Sequence, residues 1–189
     1  MGKAAINLPG LSNYLVLAAA YLVVYVESSF GALRSWVGAQ IDLLPSLVVF
    51  ASLTHGPGTL GLLAFGGGML HDSLSANPLG TSILPLFLIG FVLQQYRGLL
   101  LRDQPFAQWM LGFGASAAAP ALTVLLLLNL ERQPLLSWFS LWQWLVMSLV
   151  GGMATPLWFG FFDWVNRALN YRPFSQTTFR PDREIKRGR

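Results

Sequence analysis

Four carboxylates that lie inside or beside apolar segments are the residues best placed to carry chemistry. Glu27, Asp72 and Asp163 lie within long hydrophobic stretches, and Asp42 begins another. Ionisable side chains are costly in hydrocarbon, so each is a candidate functional residue. If successive segments cross a membrane in alternating directions, three of these acids fall near the outer surface, where Arg34 is the nearest cation. We therefore predict an outer polar cluster, whose members are Glu27, Arg34, Asp42 and Asp72. The alternative is that these acids are solvated helix ends.

The fourth acid, Asp163, falls near the opposite, inner surface. Arg167 follows it at i, i+4, the spacing and order that favour an ion pair on a helix. The sequence allows either that pair or a solvated helix end.

No set of residues in the sequence resembles a catalytic centre or a metal site. His55 belongs to the turn signal His-Gly-Pro-Gly, and His71 adjoins Asp72, although neighbouring residues point to different sides of a helix. A zinc site needs three or four ligands, and the chain has no cysteine. Serine and threonine occur without a nucleophile elbow or a partner base. We predict a protein that is not an enzyme and that uses no metal or cofactor.

The elements that position these residues are long apolar segments. Hydrophobic residues make up 54% of the 189 residues and charged residues 11%, against roughly 25% charged in soluble domains. A membrane-spanning helix needs about 20 apolar residues. We predict an all-α membrane protein, a six-transmembrane-helix bundle over residues 1–166 with a basic cytoplasmic tail at 167–189. The predicted spans are 11–30, 41–54, 59–74, 79–96, 106–130 and 138–165, of which the second is short and contains Pro45.

Lysine and arginine set the predicted orientation, since these residues concentrate in cytoplasmic loops. With a cytoplasmic N-terminus, ten of the twelve lie inside, and Arg34 and Arg132 lie outside. Six spans then place both termini in the cytoplasm. The basic tail is expected to contact anionic lipids, and its charge comes without a nucleic-acid-binding fold, so no nucleic-acid partner is expected.

Small residues recur in three of the predicted spans. They are Gly66, Gly67 and Gly68 in the third, Gly112, Gly114, Ser116 and Ala118 in the fifth, and Ser148 and Gly152 in the sixth. In lipid, small residues let helices approach closely and gain van der Waals contact. The sequence predicts tight packing of spans three, five and six, or alternatively a face that binds another membrane protein.

The central part of the chain resembles the MreD family of bacterial rod-shape-determining membrane proteins. Asp42 and Pro45 resemble the start of that family's second span. The glycine-rich span Gly66-Gly67-Gly68 with its embedded Asp72, and the following turn at Pro78 and Gly80, resemble its third span and the "plG" turn after it. The acid, the glycines and the turn match together. Beyond Arg97 the agreement is in length and hydropathy only.

The resemblance implies a role that composition does not. MreD proteins belong to the cell-elongation complex of the bacterial inner membrane, which guides lateral peptidoglycan synthesis. They bind the bitopic protein MreC and, indirectly, RodA with its penicillin-binding transpeptidase and the actin-like MreB. The family is also similar in fold to the substrate-binding subunits of energy-coupling-factor vitamin transporters. A small-molecule transporter subunit is therefore the alternative function, and it would need a cavity near the outer leaflet walled by spans one, three and six.

Overall fold

The computed structural model describes residues 9–29, 41–75, 78–100, 104–129 and 138–169, and within these ranges it contains six α-helices and no strand. The all-α prediction is confirmed, and each of the six predicted segments contains one helix. In chain order the helices are α1 (Pro9–Ser29), α2 (Leu44–Thr54), α3 (Pro57–Leu74), α4 (Ile83–Gln95), α5 (Pro105–Asn129) and α6 (Trp138–Leu169).

The predicted and observed boundaries differ most at the start of α4 and at the end of α6. The fourth segment was expected from residue 79, but α4 begins at Ile83 because the residues before it form a turn in which Gly80 has a φ of 95°. Such a backbone conformation suits glycine and cannot continue a helix. The sixth helix reaches Leu169, three residues past the predicted domain boundary. The tail beyond it lies outside the described residues.

The short helix α2 is the centre of the molecule. All its residues from Leu44 to Leu53 are buried, and α1, α3, α4, α5 and α6 all contact it. Its sequence is apolar on every side, which is typical of a helix that is enclosed rather than placed at a surface. Phe50 anchors it to α6, because its ring stacks on Phe162 with centroids 4.5 Å apart and meets Phe159 edge-on at 5.0 Å.

The hydroxyl groups of this central helix are satisfied within the fold. Ser52 donates to the carbonyl of Val49 at 2.8 Å. Ser46 donates to the carbonyl of Leu43 at 2.6 Å and also accepts the indole N–H of Trp158 at 3.0 Å. A buried hydroxyl costs little free energy once it is hydrogen-bonded. Ser46 and Ser52 therefore do not oppose the burial of α2 at the centre.

Consecutive helices run in alternating directions along the chain, which gives the molecule two distinct ends. At the first, the Asp72 end, α1 finishes beside the start of α2, where Glu27 contacts Leu43. At the second, the His55 end, Ser12 near the start of α1 contacts His55 after α2. The start of α1 and the last turns of α6 lie at the His55 end. The termini themselves lie outside the described residues, so their cytoplasmic location stays a prediction.

The α5–α6 pair is the closest helix contact in the structure. A Cβ added to Gly112 would collide with Thr155 and with the carbonyl oxygen of Gly151, and one added to Gly151 would collide with Ser116. The predicted tight packing of the fifth and sixth spans is thus observed. The glycines of the third span also pack tightly, but against α1, α2 and α4 rather than against α5 and α6.

One hydroxyl inside this contact has no hydrogen bond: the Oγ of Ser116 is buried and unpartnered. Replacing both partners of a hydrogen bond, or removing a group that has none, is nearly neutral or stabilising. We expect Ser116→Ala to leave the free energy of unfolding unchanged or to raise it by up to about 1 kcal/mol. In the matched control Ser52→Ala, loss of a made hydrogen bond should cost about 1 kcal/mol. Equilibrium unfolding in mixed detergent–SDS micelles measures both, and a marked loss in Ser116→Ala would contradict the assignment.

The outer surface of the bundle is strongly apolar. Along α6 the exposed side chains Leu141, Leu145, Leu149, Met153 and Leu157 follow one another at four-residue spacing. Large contiguous apolar patches are rare on soluble monomers. Within the described residues, α5 and the stretch Ser140–Ala168 of α6 are long and apolar enough to cross a membrane.

Candidate functional site

Asp72 organises the turn between α3 and α4. Its side chain is 1% exposed. One carboxylate oxygen accepts the N–H of Gly80 at 2.8 Å, and the N–H of Ser82 lies 3.1 and 3.2 Å from the two oxygens. The carbonyl of Pro78 accepts the N–H of Thr81 at 3.3 Å and its hydroxyl at 2.6 Å. The buried carboxylate therefore holds the chain reversal that precedes α4.

The glycines that precede Asp72 let its helix approach three neighbours. A Cβ on Gly66 would lie 3.2 Å from the hydroxyl of Tyr21 in α1, and one on Gly67 would lie 3.1 Å from Leu44 in α2. At Gly68 it would lie 3.0 Å from the backbone of Ile83 at the start of α4. The glycine run therefore sets the spacing of α3 against the helices around it.

The start of α2 is held by two further carboxylates. Glu27 accepts the N–H of Leu43 at 2.6 Å, and Asp42 accepts that of Leu44 at 2.9 Å. Pro45 lies in the first turn, where its missing N–H is not needed. The first N–H groups of a helix lack internal partners and carry positive partial charge, so acids there are stabilising. At the Asp72 end, carboxylates thus accept hydrogen bonds from backbone N–H groups at or just before the starts of α2 and α4.

Two residues of the predicted outer polar cluster, Glu27 and Asp42, lie close together, while Asp72 binds the turn before α4. Glu27 and Asp42 are close enough to repel each other electrostatically, and Asp42 also interacts with His71 of α3. Asp72 lies one residue further along the same helix. The second carboxylate oxygen of Glu27 is buried without a hydrogen-bond partner. Arg34 lies outside the described residues, so its place in the cluster stays a prediction.

A cavity of about 460 Å³ opens beside these acids. Its walls come from α3, α4, α5 and α6 together with residues at the start of α2. The polar side chains that line it include Asp42, His71, Ser82, Thr123 and Gln143, and apolar surface is contributed by residues such as Leu86, Pro120 and Met147. His71 is held in place by Ser82, whose Oγ lies 3.3 Å from its Nδ1.

The cavity differs from the one the sequence suggested for a small-molecule binder. Spans one, three and six were expected as its walls, whereas α1 contributes no lining residue. Glu27 and Asp72 are not among its lining residues, and both accept hydrogen bonds from backbone N–H groups. Sequence reasoning missed Thr123 and Gln143, since single polar residues in apolar helices carry no motif. Their signal was polarity at positions where lipid-facing helices are apolar.

At the other end of the molecule, His55 joins α1, α2 and α4. Its Nδ1 lies 2.7 Å from the hydroxyl of Thr54, which itself donates to the carbonyl of Phe50. The ring must therefore donate from Nδ1, and its Nε2 accepts the hydroxyl of Ser12 at 2.9 Å. Burial lowers the pKa of His55, which favours this neutral form. Gln94 donates to the carbonyl of His55 at 3.1 Å, so this histidine is a structural junction.

The ion pair that the spacing of Asp163 and Arg167 would allow is absent. Both side chains are exposed, and the guanidinium Nε donates to the backbone carbonyl of Asp163 at 3.2 Å rather than to its carboxylate. The solvated helix end, which was the other interpretation, is what the structure shows.

A second, apolar concavity lies on the outer surface between α4 and α5. It has a volume of about 310 Å³ and is lined by residues that include Leu88, Val92, Met110, Gly114 and Ala118. Gly114 is exposed, and a Cβ placed on it would meet nothing within 4 Å. We call this the α4–α5 groove. The small residues of α5 are thus divided, because Gly112 and Ser116 face α6 and Gly114 and Ala118 face outward.

Metal chemistry finds no support among the residues that the structure describes, where no three histidine or acidic side chains converge on a point that could hold an ion. Comparison of the chain with models of protein families, with curated proteins and with solved structures finds no match.

Proposed function

We propose that this chain is a non-enzymatic membrane scaffold of the bacterial cell-elongation complex. In this proposal it spans the inner membrane six times with both termini in the cytoplasm, binds MreC, and helps to organise lateral peptidoglycan synthesis and rod shape. RodA, its penicillin-binding transpeptidase and MreB would be indirect partners. The proposal draws on the resemblance to the MreD family, whose motif residues here form one structural unit at the starts of α2 and α4.

The short helices are compatible with six crossings. At about 1.5 Å per residue, α2 rises roughly 16 Å and α4 roughly 20 Å, which is less than a hydrocarbon core of about 30 Å. Non-helical backbone at membrane depth is tolerated when its polar groups find partners inside the protein. Glu27, Asp42 and Asp72 supply such partners to the N–H groups before and at the helix starts.

The observation that carries the scaffold proposal is the α4–α5 groove. Its lining is almost wholly apolar, and it opens on the lipid-facing side of two helices. Gly114 and Ala118 are spaced at i, i+4, which is the arrangement that lets a second transmembrane helix approach closely. We infer that the single span of MreC packs here, with van der Waals contact rather than charge as the source of affinity.

The test is co-purification of MreC with the full chain from membranes, with Gly114→Leu as the variant. Gly114 faces open space, so leucine fills the groove without disturbing the fold, and we expect recovery of MreC to fall at least tenfold. Gly160→Leu is the matched control, because Gly160 is also exposed and also has nothing within 4 Å, but lies on α6. Undiminished recovery with Gly114→Leu would remove the groove from the proposal, and failure of the unaltered chain to recover MreC would remove the partner.

The second candidate is a substrate-binding subunit of a small-molecule, vitamin-type transporter, and the cavity beside Asp42 is the observation that favours it. Pockets for small ligands commonly measure about 300–1,000 Å³, and this one measures about 460 Å³. The same co-purification separates the two candidates. Recovery of ATPase subunits with an energy-coupling membrane partner, in place of MreC, would establish the transporter role.

A further inference from the structure

We propose that the cavity at the Asp72 end is a binding site for a small organic ammonium ion. This does not depend on which of the two functions above is correct, since the argument rests only on the charge, size and lining of the cavity. The ligand would place its cationic group against Asp42 and His71 and its apolar body against Leu86 and Met147.

The positive charge proposed for the ligand follows from the charged residues around the cavity. Asp42 lines the cavity, and Glu27 and Asp72 lie close behind it. In the part of the chain that the structure describes, the lysine and arginine residues are Arg97 and Arg167, and both belong to the His55 end. Carboxylates in a poorly hydrated environment attract a cation strongly, because the low dielectric weakens screening. Among the described residues, the charges around the cavity therefore favour a cation, while Arg34 lies outside those residues.

The backbone interactions of the three acids leave specific oxygen atoms available. Asp72 uses both oxygens on Gly80 and Ser82. Asp42 uses one oxygen on the N–H of Leu44, and its carboxylate lines the cavity. Glu27 likewise uses one oxygen, while the other is buried and unpaired. An ammonium group in the cavity would donate to the carboxylate of Asp42, the acid that lines it among the described residues.

The shape of the cavity indicates an organic ion rather than a bare metal ion. A volume of about 460 Å³ is much larger than a cation needs, and no three potential metal ligands converge in the described residues. Most of its accessible surface is apolar, with Leu44, Pro85, Leu86 and Met147 among the contributors. Small-molecule sites combine such apolar walls with a few polar groups that fix orientation. Here Thr123 and Gln143 would orient the polar part of the ligand.

The experiment compares three probes of nearly equal size: phenethylammonium, the uncharged 2-phenylethanol and the anionic phenylacetate. Each is titrated by calorimetry into the full chain in nanodiscs of zwitterionic lipid, with empty nanodiscs subtracted to remove partitioning into the bilayer. We expect the ammonium ion to bind at least tenfold more tightly than the alcohol and the anion not to bind. Equal affinity for the three probes, a preference for the anion, or no binding of the ammonium ion at millimolar concentration would overturn the proposal.

Two variants place the site within the chain. Asp42→Asn keeps an oxygen for the N–H of Leu44 but removes the charge, so ammonium affinity should fall at least tenfold towards that of the alcohol. Asp163→Asn is the control, because Asp163 is exposed at the opposite end, and it should bind as the unaltered chain does. Should Asp42→Asn fail to fold, Thr123→Phe decides instead, since it fills the cavity from α5 without touching a carboxylate and should abolish binding. Retained binding in either informative variant would rule the site out.

Discussion

Gly112→Ala should lower the free energy of unfolding by about 2–3 kcal/mol, towards the upper end of the range for overpacked cores. The added methyl group would meet the hydroxyl of Thr155 and lie 2.7 Å from the carbonyl oxygen of Gly151. A side chain can rotate away, but the carbonyl belongs to the backbone of α6 and can move only with its helix. The substitution should therefore push α5 and α6 apart along their whole contact.

Gly114→Ala is the matched control for this prediction, since it makes the same change two residues away on the same helix. Nothing lies within 4 Å of its added Cβ, so stability should be unchanged or slightly higher, as alanine favours helix more than glycine does. SDS-induced unfolding monitored by tryptophan fluorescence measures both variants. Equal stability of the two would show that the α5–α6 contact is looser than the structure has it.

Asp72→Ala should cost about 2–5 kcal/mol, because it strands the N–H groups of Gly80 and Ser82 in a buried turn and an unsatisfied buried donor costs roughly 1–3 kcal/mol. Asp72→Asn should cost less, since its amide oxygen still accepts one of these bonds. Asp163→Ala, which removes an exposed carboxylate at the other end, should have no effect on stability.

Hydrogen exchange of the turn distinguishes this local role from a general loss of stability. In Asp72→Ala, peptides covering residues 78–86 should exchange faster than in the unaltered chain, while peptides from α6 keep their protection at the same temperature. Uniform acceleration over all helices, or no change in the turn, would show that the carboxylate does not hold it. If Asp72→Asn keeps both the fold and MreC binding, the negative charge itself is dispensable for the proposed function.

The contacts of the acids at the Asp72 end alter the role that each can be assigned. An ionisable residue inside a membrane segment indicates function by default, yet Asp72 is fully used by backbone N–H groups. Glu27 accepts a backbone N–H with one oxygen and leaves the other buried and unpaired, and Asp42 accepts the N–H of Leu44. The acid whose side chain lines the cavity is Asp42, which the sequence placed only at the edge of a doubtful segment.

Much of the helical architecture could be predicted from local pattern. Six apolar stretches gave six helices, because continuous hydrophobicity of that length has few other folded forms. The turn after α3 was also predictable, since Asn-Pro-Leu-Gly breaks a helix and Gly80 adopts the positive φ that favours glycine. The shortness of α2 makes it a doubtful membrane span on sequence alone. Its uniform apolarity is nevertheless typical of an enclosed helix, and the structure places it at the centre.

The sequence by itself determined the all-helical class of the protein and, over the described residues, the number and order of its helices. These properties depend on residues close together in the chain. Only the tertiary structure decided that Gly112 faces α6 while Gly114 faces outward. Two residues that are two positions apart on a helix point about 200° away from each other, but the position of α6 decides which of them is buried. The tertiary structure also decided the cavity, whose Asp42, His71 and Gln143 come from distant parts of the chain. A cavity is the space that several packed helices leave unfilled, and no single segment encodes it.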